Sequence, residues 1–305
     1  MNGILVVDKP PAKTSHDIVD FVRKATGLRK VGHTGTLDPM ATGVLVLLLG
    51  QATRVAQFLE LEPKEYIAEA VFGIRTDTQD ITGRVIQDIE GRTNPEAIRA
   101  IIPEFSGEIS QVPPMVSAVK IGGKPLYKLA RQGKEIERPQ RKVFIYRLEM
   151  VDFFEKDNRD HAVFHVICSG GTYIRTLVND IGERLGLGAT LAALRRTRVG
   201  SFDLSEALSF DGEVSKDRLA RHLISLDDAL RHLPEVIARE DAKGIILNGG
   251  IISGQQIKKH PNAAAYNEFV RIKSMDSSLL AIGKIAKTNG IAIKPKVVFK
   301  LKEIN

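Results

Sequence analysis

Of 305 residues only one, Cys168, is a cysteine, and tryptophan is missing altogether. A single thiol excludes an intramolecular disulfide framework and any multi-cysteine zinc site. Aromatic residues supply only 6% of the chain, so its few tyrosines are candidate specialists, with core packing as the competing reading for any one of them. Long apolar runs are missing too: the longest uncharged one, Val44 to Leu49, falls far short of the ~20 residues that span a bilayer. The start, Met1-Asn2-Gly3-Ile4, has neither the basic residues nor the apolar stretch of a secretory signal. These absences lead to the expectation of a cytoplasmic protein with no membrane partner. What is present is ordinary: 43% hydrophobic and 27% charged residues. Such a composition buries a sizeable core and excludes disordered or collagen-like architectures. At roughly 100–200 residues per domain, the length fits one large domain or two.

The net charge of +7 is unevenly placed. Residues 1–230 carry 31 basic and 31 acidic side chains, whereas residues 231–305 carry 13 basic and 6 acidic ones. A second excess lies inside the neutral part. Between Lys120 and Arg147 stand nine basic residues against Glu135 and Glu137. Two basic segments suggest a polyanionic partner, most simply nucleic acid, and the competing reading is a solvated charged surface.

Short strands and helices alternate without a regular βαβ repeat. Gly3 to Asp8, Val44 to Leu49, Tyr66 to Phe72, Val143 to Phe154 and Ala162 to Cys168 read as strands. Ser15 to Ala25, with Ser15 as N-cap, Thr53 to Leu61 and Tyr173 to Leu185 read as helices. Asn94-Pro95 is a good helix start. Val119 to Lys124 reads as a hairpin turned by Gly122-Gly123, followed by a short basic helix over Leu126 to Gln132. After a boundary near residue 231 the chain changes character. Phe269 to Ile272, Leu279 to Ile285 and Ile291 to Val298 are β-type runs separated by turn residues, as in a small barrel or sandwich.

The most unusual segment runs from Val31 to Leu45 and contains Gly32-His33-Thr34-Gly35-Thr36-Leu37-Asp38-Pro39-Met40-Ala41-Thr42-Gly43. It lacks the Lys-Ser/Thr that completes a phosphate-binding loop, and its spacing fails the dinucleotide fingerprint, so a nucleotide cofactor is not expected. Asp38-Pro39 taken alone is a standard helix start. His161 and His165 would share one face of a strand, but no third metal ligand is evident. Cys168 ends an apolar strand, where a free thiol is a packing residue. In Gly170-Gly171-Thr172-Tyr173-Ile174-Arg175-Thr176 a tight turn enters a helix that carries Arg175 in its first turn. A cation there opposes the helix macrodipole unless a carboxylate or an anionic ligand answers it.

These residues, in their order and spacing, resemble the bacterial TruB family of tRNA pseudouridine-55 synthases over essentially the whole chain. The Gly32 to Gly43 block carries the most specific part of the resemblance. It is joined by Asp8-Lys9-Pro10 with Thr14-Ser15, Lys64-Glu65-Tyr66, Arg75-Thr76-Asp77-Thr78-Gln79-Asp80 with Gly83, Gln111-Val112-Pro113-Pro114 with Ser117-Ala118, Ser169 to Thr176, and Leu194-Arg195-Arg196-Thr197. Ala12 departs from the pattern, since the family usually has glycine there. The C-terminal segment is more weakly similar to the family's PUA-type RNA-binding domain.

The resemblance implies an α+β fold with a mixed, largely antiparallel sheet flanked by helices. Residues 1–230 would form the catalytic domain, with a basic RNA-gripping insertion at about 119–147, and residues 231–305 a small β-rich PUA-like domain. It implies a cofactor-free, metal-free isomerisation of uridine to pseudouridine at position 55 in the T-loop of tRNA. The bond from ribose C1′ to uracil N1 breaks, the flipped base turns, and C5 rejoins. By the resemblance Asp38 is the catalytic carboxylate, which attacks the base, attacks C1′ or assists elimination. Arg175 is its ion-pair partner and Tyr66 stacks on the base as the candidate for removing the C5 proton. His33 inserts into the T-loop, Tyr173 contacts the substrate and Leu194 supplies an apolar wall. Lys9, Lys64, Lys120, Lys124, Lys128 and Arg131 are expected to contact RNA. The partner is the T-arm of tRNA, and the protein is expected to be a monomer. Two alternatives from other classes remain at this point: an RNA chaperone that assists tRNA folding without chemistry, and a nucleotide-dependent transferase built on the Gly/Thr loop.

Overall fold

The structure is a computed structural model. It describes residues 1–60, 63–117, 119–130, 132–133, 136–210, 214–260, 269–288 and 290–300. The chain opens with β1 (Gly3–Lys9), α1 (Ser15–Thr26), β2 (Val31–His33) and β3 (Thr42–Leu49), then a 3-10 turn into α2 (Ala56–Leu59). Next come β4 (Lys64–Phe72), a hairpin of β5 (Ile74–Thr76) and β6 (Val85–Asp88), α3 (Pro95–Ile101) and β7 (Gly107–Gln111). A small hairpin, β8 (Lys120–Ile121) and β9 (Lys124–Pro125), leads to α4 (Leu126–Ala130). The long pair β10 (Arg141–Lys156) and β11 (Arg159–Cys168) precedes α5 (Ile174–Arg184), β12 (Ala189–Val199), β13 (Phe202–Asp203) and β14 (Leu208–Ser209). The main sheet has the order β14-β1-β3-β12-β4-β11-β10-β7, with β2 on β3 and β13 on β12. It is antiparallel except where β1 meets β14 and β3 meets β12.

Period-two alternation explains how β3 is buried on both faces. Leu45, Leu47 and Leu49 join α1 and α5 in one core, while Val44, Val46 and Leu48 point into another. Each fully buried Leu or Val stabilises the fold by roughly 1.5–3 kcal/mol. A second sheet, β16-β20-β19-β18-β15-β17, is built from β15 (Glu235–Ala238), β16 (Ile252–Ser253), β17 (Ile257–Lys259), β18 (Phe269–Lys273), β19 (Leu279–Thr288) and β20 (Gly290–Val298). Its Ile282 and Val297, with Phe299 beyond β20, complete the second core. Phe58 meets Phe269 edge to face at 5.0 Å, and Gln51 exchanges two hydrogen bonds with Lys300.

Several readings change. Thr14, not Ser15, caps α1: its hydroxyl accepts from Asp17 N at 3.0 Å, and the Asp17 carboxylate accepts from Thr14 N at 2.8 Å. Thr53 to Leu61 forms a 3-10 turn and one helical turn instead of a single helix, with Leu61 outside the described residues. Strand β12, between β3 and β4 in the sheet and central to the site, is missed by the sequence reading because arginines interrupt its apolar positions. Ala12 has φ 60°, the left-handed conformation that glycine adopts without penalty, which accounts for the usual glycine there.

Gly43 shows why β3 and β12 can run side by side. It has φ +102°, and a Cβ there would stand 2.1 Å from the Arg196 carbonyl oxygen. Gly43→Ala is expected to cost about 2–5 kcal/mol from strain and overpacking together. The measurement is the denaturation midpoint, and an unchanged midpoint would contradict this packing.

Candidate active site

Asp38 lies in the loop between β2 and β3. Its dipeptide with Pro39 does not start a helix; the residues form a turn closed by Ala41 N donating to Asp38 O at 3.1 Å. The loop is fastened on several sides. The Ser15 hydroxyl accepts from Leu37 N at 2.8 Å and donates to Leu37 O at 3.2 Å. Ala12 N donates to Pro39 O at 3.0 Å. Lys9 Nζ donates to the carbonyls of Pro10, Lys13 and Pro39 at 2.8, 2.6 and 3.2 Å. Freed from helix capping, Ser15 thus fixes the residue beside the carboxylate.

Arg175 grips Asp38 with two contacts, Nε to Oδ2 at 2.9 Å and Nη2 to Oδ1 at 3.1 Å. The guanidinium is 4% exposed. Its remaining donors meet Val116 O at 2.8 Å and Thr78 O at 2.9 Å, and Nη1 faces Asp80 Oδ2 at 3.7 Å. Two carboxylates therefore answer the cation at the N-terminus of α5, which resolves the conflict with the macrodipole. Asp80 is itself buried and accepts from Thr82 N and Thr78 Oγ1, each at 3.0 Å. Bidentate geometry fixes the plane of the Asp38 carboxylate.

Burial, the largest influence, pushes the Asp38 carboxyl above the ordinary aspartate range; Arg175 draws it down and Asp80 pushes it up again. The ion pair offsets part of the desolvation and does not outweigh it. A carboxylate held ionised in a partly dry site is a stronger nucleophile and a better stabiliser of nearby positive charge than one in water.

Asp38 and Arg175 open onto a cavity of about 410 Å³, also lined by His33, Lys64, Tyr66, Ser117, Tyr173, Leu194 and Arg196. That size suits one small ligand. Tyr66 on β4 is 6% exposed. Burial pushes its phenol up to about 12, against the pull of the Arg196 guanidinium. At neutral pH the phenol is protonated, which weighs against Tyr66 as the resting base and leaves its ring face as what it offers. His33 is held below its ordinary value by burial and by Arg196, so its imidazole is neutral at pH 7, with Nδ1 accepting from Gly35 N at 3.3 Å. Gln111 holds Tyr173 by both backbone groups, at 3.0 and 3.2 Å. Leu194 is buried in the wall.

The basic residues divide differently from the expectation. Lys9 has no exposed surface, and its ammonium is spent on three carbonyls, with burial lowering it to about 8. It is a loop anchor and not an RNA contact. Lys64 is also buried, donates to Glu60 O at 2.6 Å and lines the cavity, so it does not stand on an open phosphate-binding surface. Lys120, Lys124 and Lys128 fall in β8, β9 and α4, but their side chains lie outside the described residues, as does Arg131. Cys168 is buried and its thiol pushed up to about 11, in keeping with packing. His161 and His165 each face a glutamate, Glu69 and Glu65, at 2.8 Å. Asp80 and Arg196 carry no role in the sequence reading. The signal for Arg196 is that two adjacent arginines in a strand must point to opposite faces, which sends one inward.

Residues 23–174 match the model of the TruB family pseudouridylate synthase N-terminal domain, and residues 175–231 that of the tRNA pseudouridylate synthase B C-terminal domain. The tRNA pseudouridine synthase B of Alkaliphilus oremlandii is 46% identical over 252 residues, 83% of each chain. That of Syntrophomonas wolfei is 40% identical over 306 residues, covering 99% of this chain and all of its own. Among solved structures, a chain in the crystal structure of a Cbf5-Nop10-Gar1 complex superposes with TM-score 0.74 at 31% identity, over 99% of this chain and 86% of that one. A second, in an H/ACA RNP bound to a substrate RNA containing 2′-deoxyuridine, gives 0.72 at 29% identity, over 99% of this chain and 86% of that one.

Proposed function

The chain belongs to the TruB family of pseudouridylate synthases and converts uridine in tRNA to pseudouridine, and from that premise we propose that its target is position 55 in the T-loop, with Asp38 as the reacting carboxylate. The observation that carries this reading is the bidentate Arg175–Asp38 pair at the mouth of a cavity walled by Tyr66, Tyr173 and Leu194. A uridine swung out of its loop enters this cavity between the two tyrosines. Flipping costs a few kcal/mol, and stacking on aromatic faces returns part of it. Asp38 meets the nucleotide, the C1′–N1 bond breaks, the ring turns, and C5 joins C1′ while the C5 proton leaves and N1 gains one. Atoms balance without a cofactor. Neutral His33, at the edge of the cavity, inserts beside the extruded base and keeps it from restacking.

Residues 1–230 act as the catalytic domain, and residues 231–305 as a PUA-like module that extends the contact along the tRNA with their +7 excess. No described helix is long and apolar enough to cross a membrane. We place the protein in the cytoplasm with its tRNA substrate, and as a monomer because one chain supplies Asp38, Arg175 and the cavity wall. The deciding experiment is incubation with an unmodified tRNA transcript followed by mapping of modified positions. Pseudouridine at position 55 alone is expected; its absence there, with modification elsewhere, overturns the assignment.

The 119–147 insertion grips the T-arm through phosphates. Neutralising Lys124, Lys128 and Arg131 together is expected to weaken tRNA binding and to flatten the slope of log K against log salt by about 0.7–0.9 per lost phosphate contact. A filter-binding series across salt concentrations reads the slope, and an unchanged one places the RNA elsewhere.

A further inference from the structure

Among the described residues, the largest side chain with almost no exposed surface is Arg196, at 2%. It stands in β12 directly opposite Tyr66 of β4 on one side and Gly43 of β3 on the other. Its strand neighbours turn outward to carboxylates: Arg195 pairs with Asp8 and Arg198 with Glu65. Arg196 turns inward, and no described carboxylate pairs with it. Instead Nε donates to Val44 O at 2.7 Å and Nη2 to Gly35 O at 3.1 Å. Those two carbonyls flank the segment that contains Asp38. A buried cation without a counter-charge is costly to keep. An apolar residue would fill the space more cheaply, unless the fork of donors is needed where it stands.

We infer that Arg196 is a positioning residue of this active site, whose single guanidinium clamps both ends of the Asp38 loop and sets the Tyr66 phenol in the cavity. The inference rests on the proposed isomerase reading and adds to it a residue that reaches the reaction only through Asp38 and Tyr66. Arg196 lies opposite Tyr66 across the strand pair; of the groups whose charge acts on the phenol, Arg196, Cys168 and Asp38, only Arg196 is positive. Lysine in its place would keep the charge but lose the planar fork that reaches two carbonyls at once.

The test uses the full-length protein with Arg196→Met and Arg196→Lys, each alone and combined with Tyr66→Phe. Arg196→Met is expected to lower kcat about 100-fold, with KM and tRNA Kd changed less than about threefold, because the loss falls on the chemical step. Arg196→Lys recovers part of kcat. On the Tyr66→Phe background the Arg196→Met loss shrinks, since the part of it that runs through the Tyr66 phenol is already gone. Amide exchange in the free protein then reads the clamp without catalysis: residues 35–44 exchange faster in Arg196→Met, while β1 does not change. Losses that multiply in full, a change confined to KM, or unaltered exchange in the loop each overturn the positioning role. If Arg196→Met does not fold, Arg196→Lys carries the same cycle and exchange readout. Wild-type protein that forms no pseudouridine in the same assay overturns the function reading, and the exchange result still stands or falls by itself.

Discussion

Asp38→Asn is expected to abolish pseudouridine formation, by about 10⁴-fold or more, while tRNA stays bound within a few-fold of wild type. The substitution keeps the shape of the side chain and one of the two oxygens that accept from Arg175. It removes the negative charge and the nucleophilic oxygen. Binding survives because affinity comes from phosphate contacts and the shape of the RNA, neither of which involves this carboxylate. Release of tritium from uridine labelled at C5 measures turnover, and gel mobility measures binding. Turnover close to the wild-type rate would remove Asp38 from the chemistry. A variant that loses activity and yet still helps misfolded tRNA to fold would show that chaperoning and catalysis share one protein without sharing this residue.

How far the sequence could be read depends on which physical signal each segment carries. The strands β1 and β3 were legible because both of their faces are buried, so they appear as continuous apolar runs. The β10–β11 pair was legible from two β-rich runs around a polar turn. Strand β12 was not, because its inward positions include a buried arginine that imitates a surface residue. Arg175 announced itself as a cation at a helix N-terminus, and the structure supplies the two carboxylates that answer it. The balance of forces on Asp38 was beyond reach: sequence places Arg175 nearby but does not say how much water the loop excludes, and here exclusion of water wins. Lys9 was misjudged for the same reason. Charge in a sequence suggests solvent, yet this ammonium sits under the loop with carbonyls around it.

The second large effect follows from that balance. Arg175→Ala removes the strongest influence that holds the Asp38 carboxyl down, leaving only Lys9 to oppose burial and Asp80. The carboxyl, already above the ordinary aspartate range, rises further. On the proposed reading the ionised form is the reactive one, so activity falls on the acid side of the carboxyl's ionisation, and the acid limb of the pH–rate profile moves to higher pH in the variant. The kcat is expected to drop about 10³-fold: a larger share of the carboxyl is protonated at any given pH, and what remains ionised has lost the fork that fixed its plane. Arg175→Lys should lie between the two, because a lysine restores a positive charge but not two parallel contacts. Measuring kcat against pH, from the acid limb up to the plateau, separates the causes. If the limb of Arg175→Ala stays at the wild-type position while kcat falls, the guanidinium positions the carboxylate without tuning its charge. If the limb moves and high pH restores the wild-type rate in full, tuning is its whole contribution. The geometry, with two contacts to Asp38 and three further donors engaged elsewhere, leads to the expectation that the limb moves and that high pH restores only part of the rate.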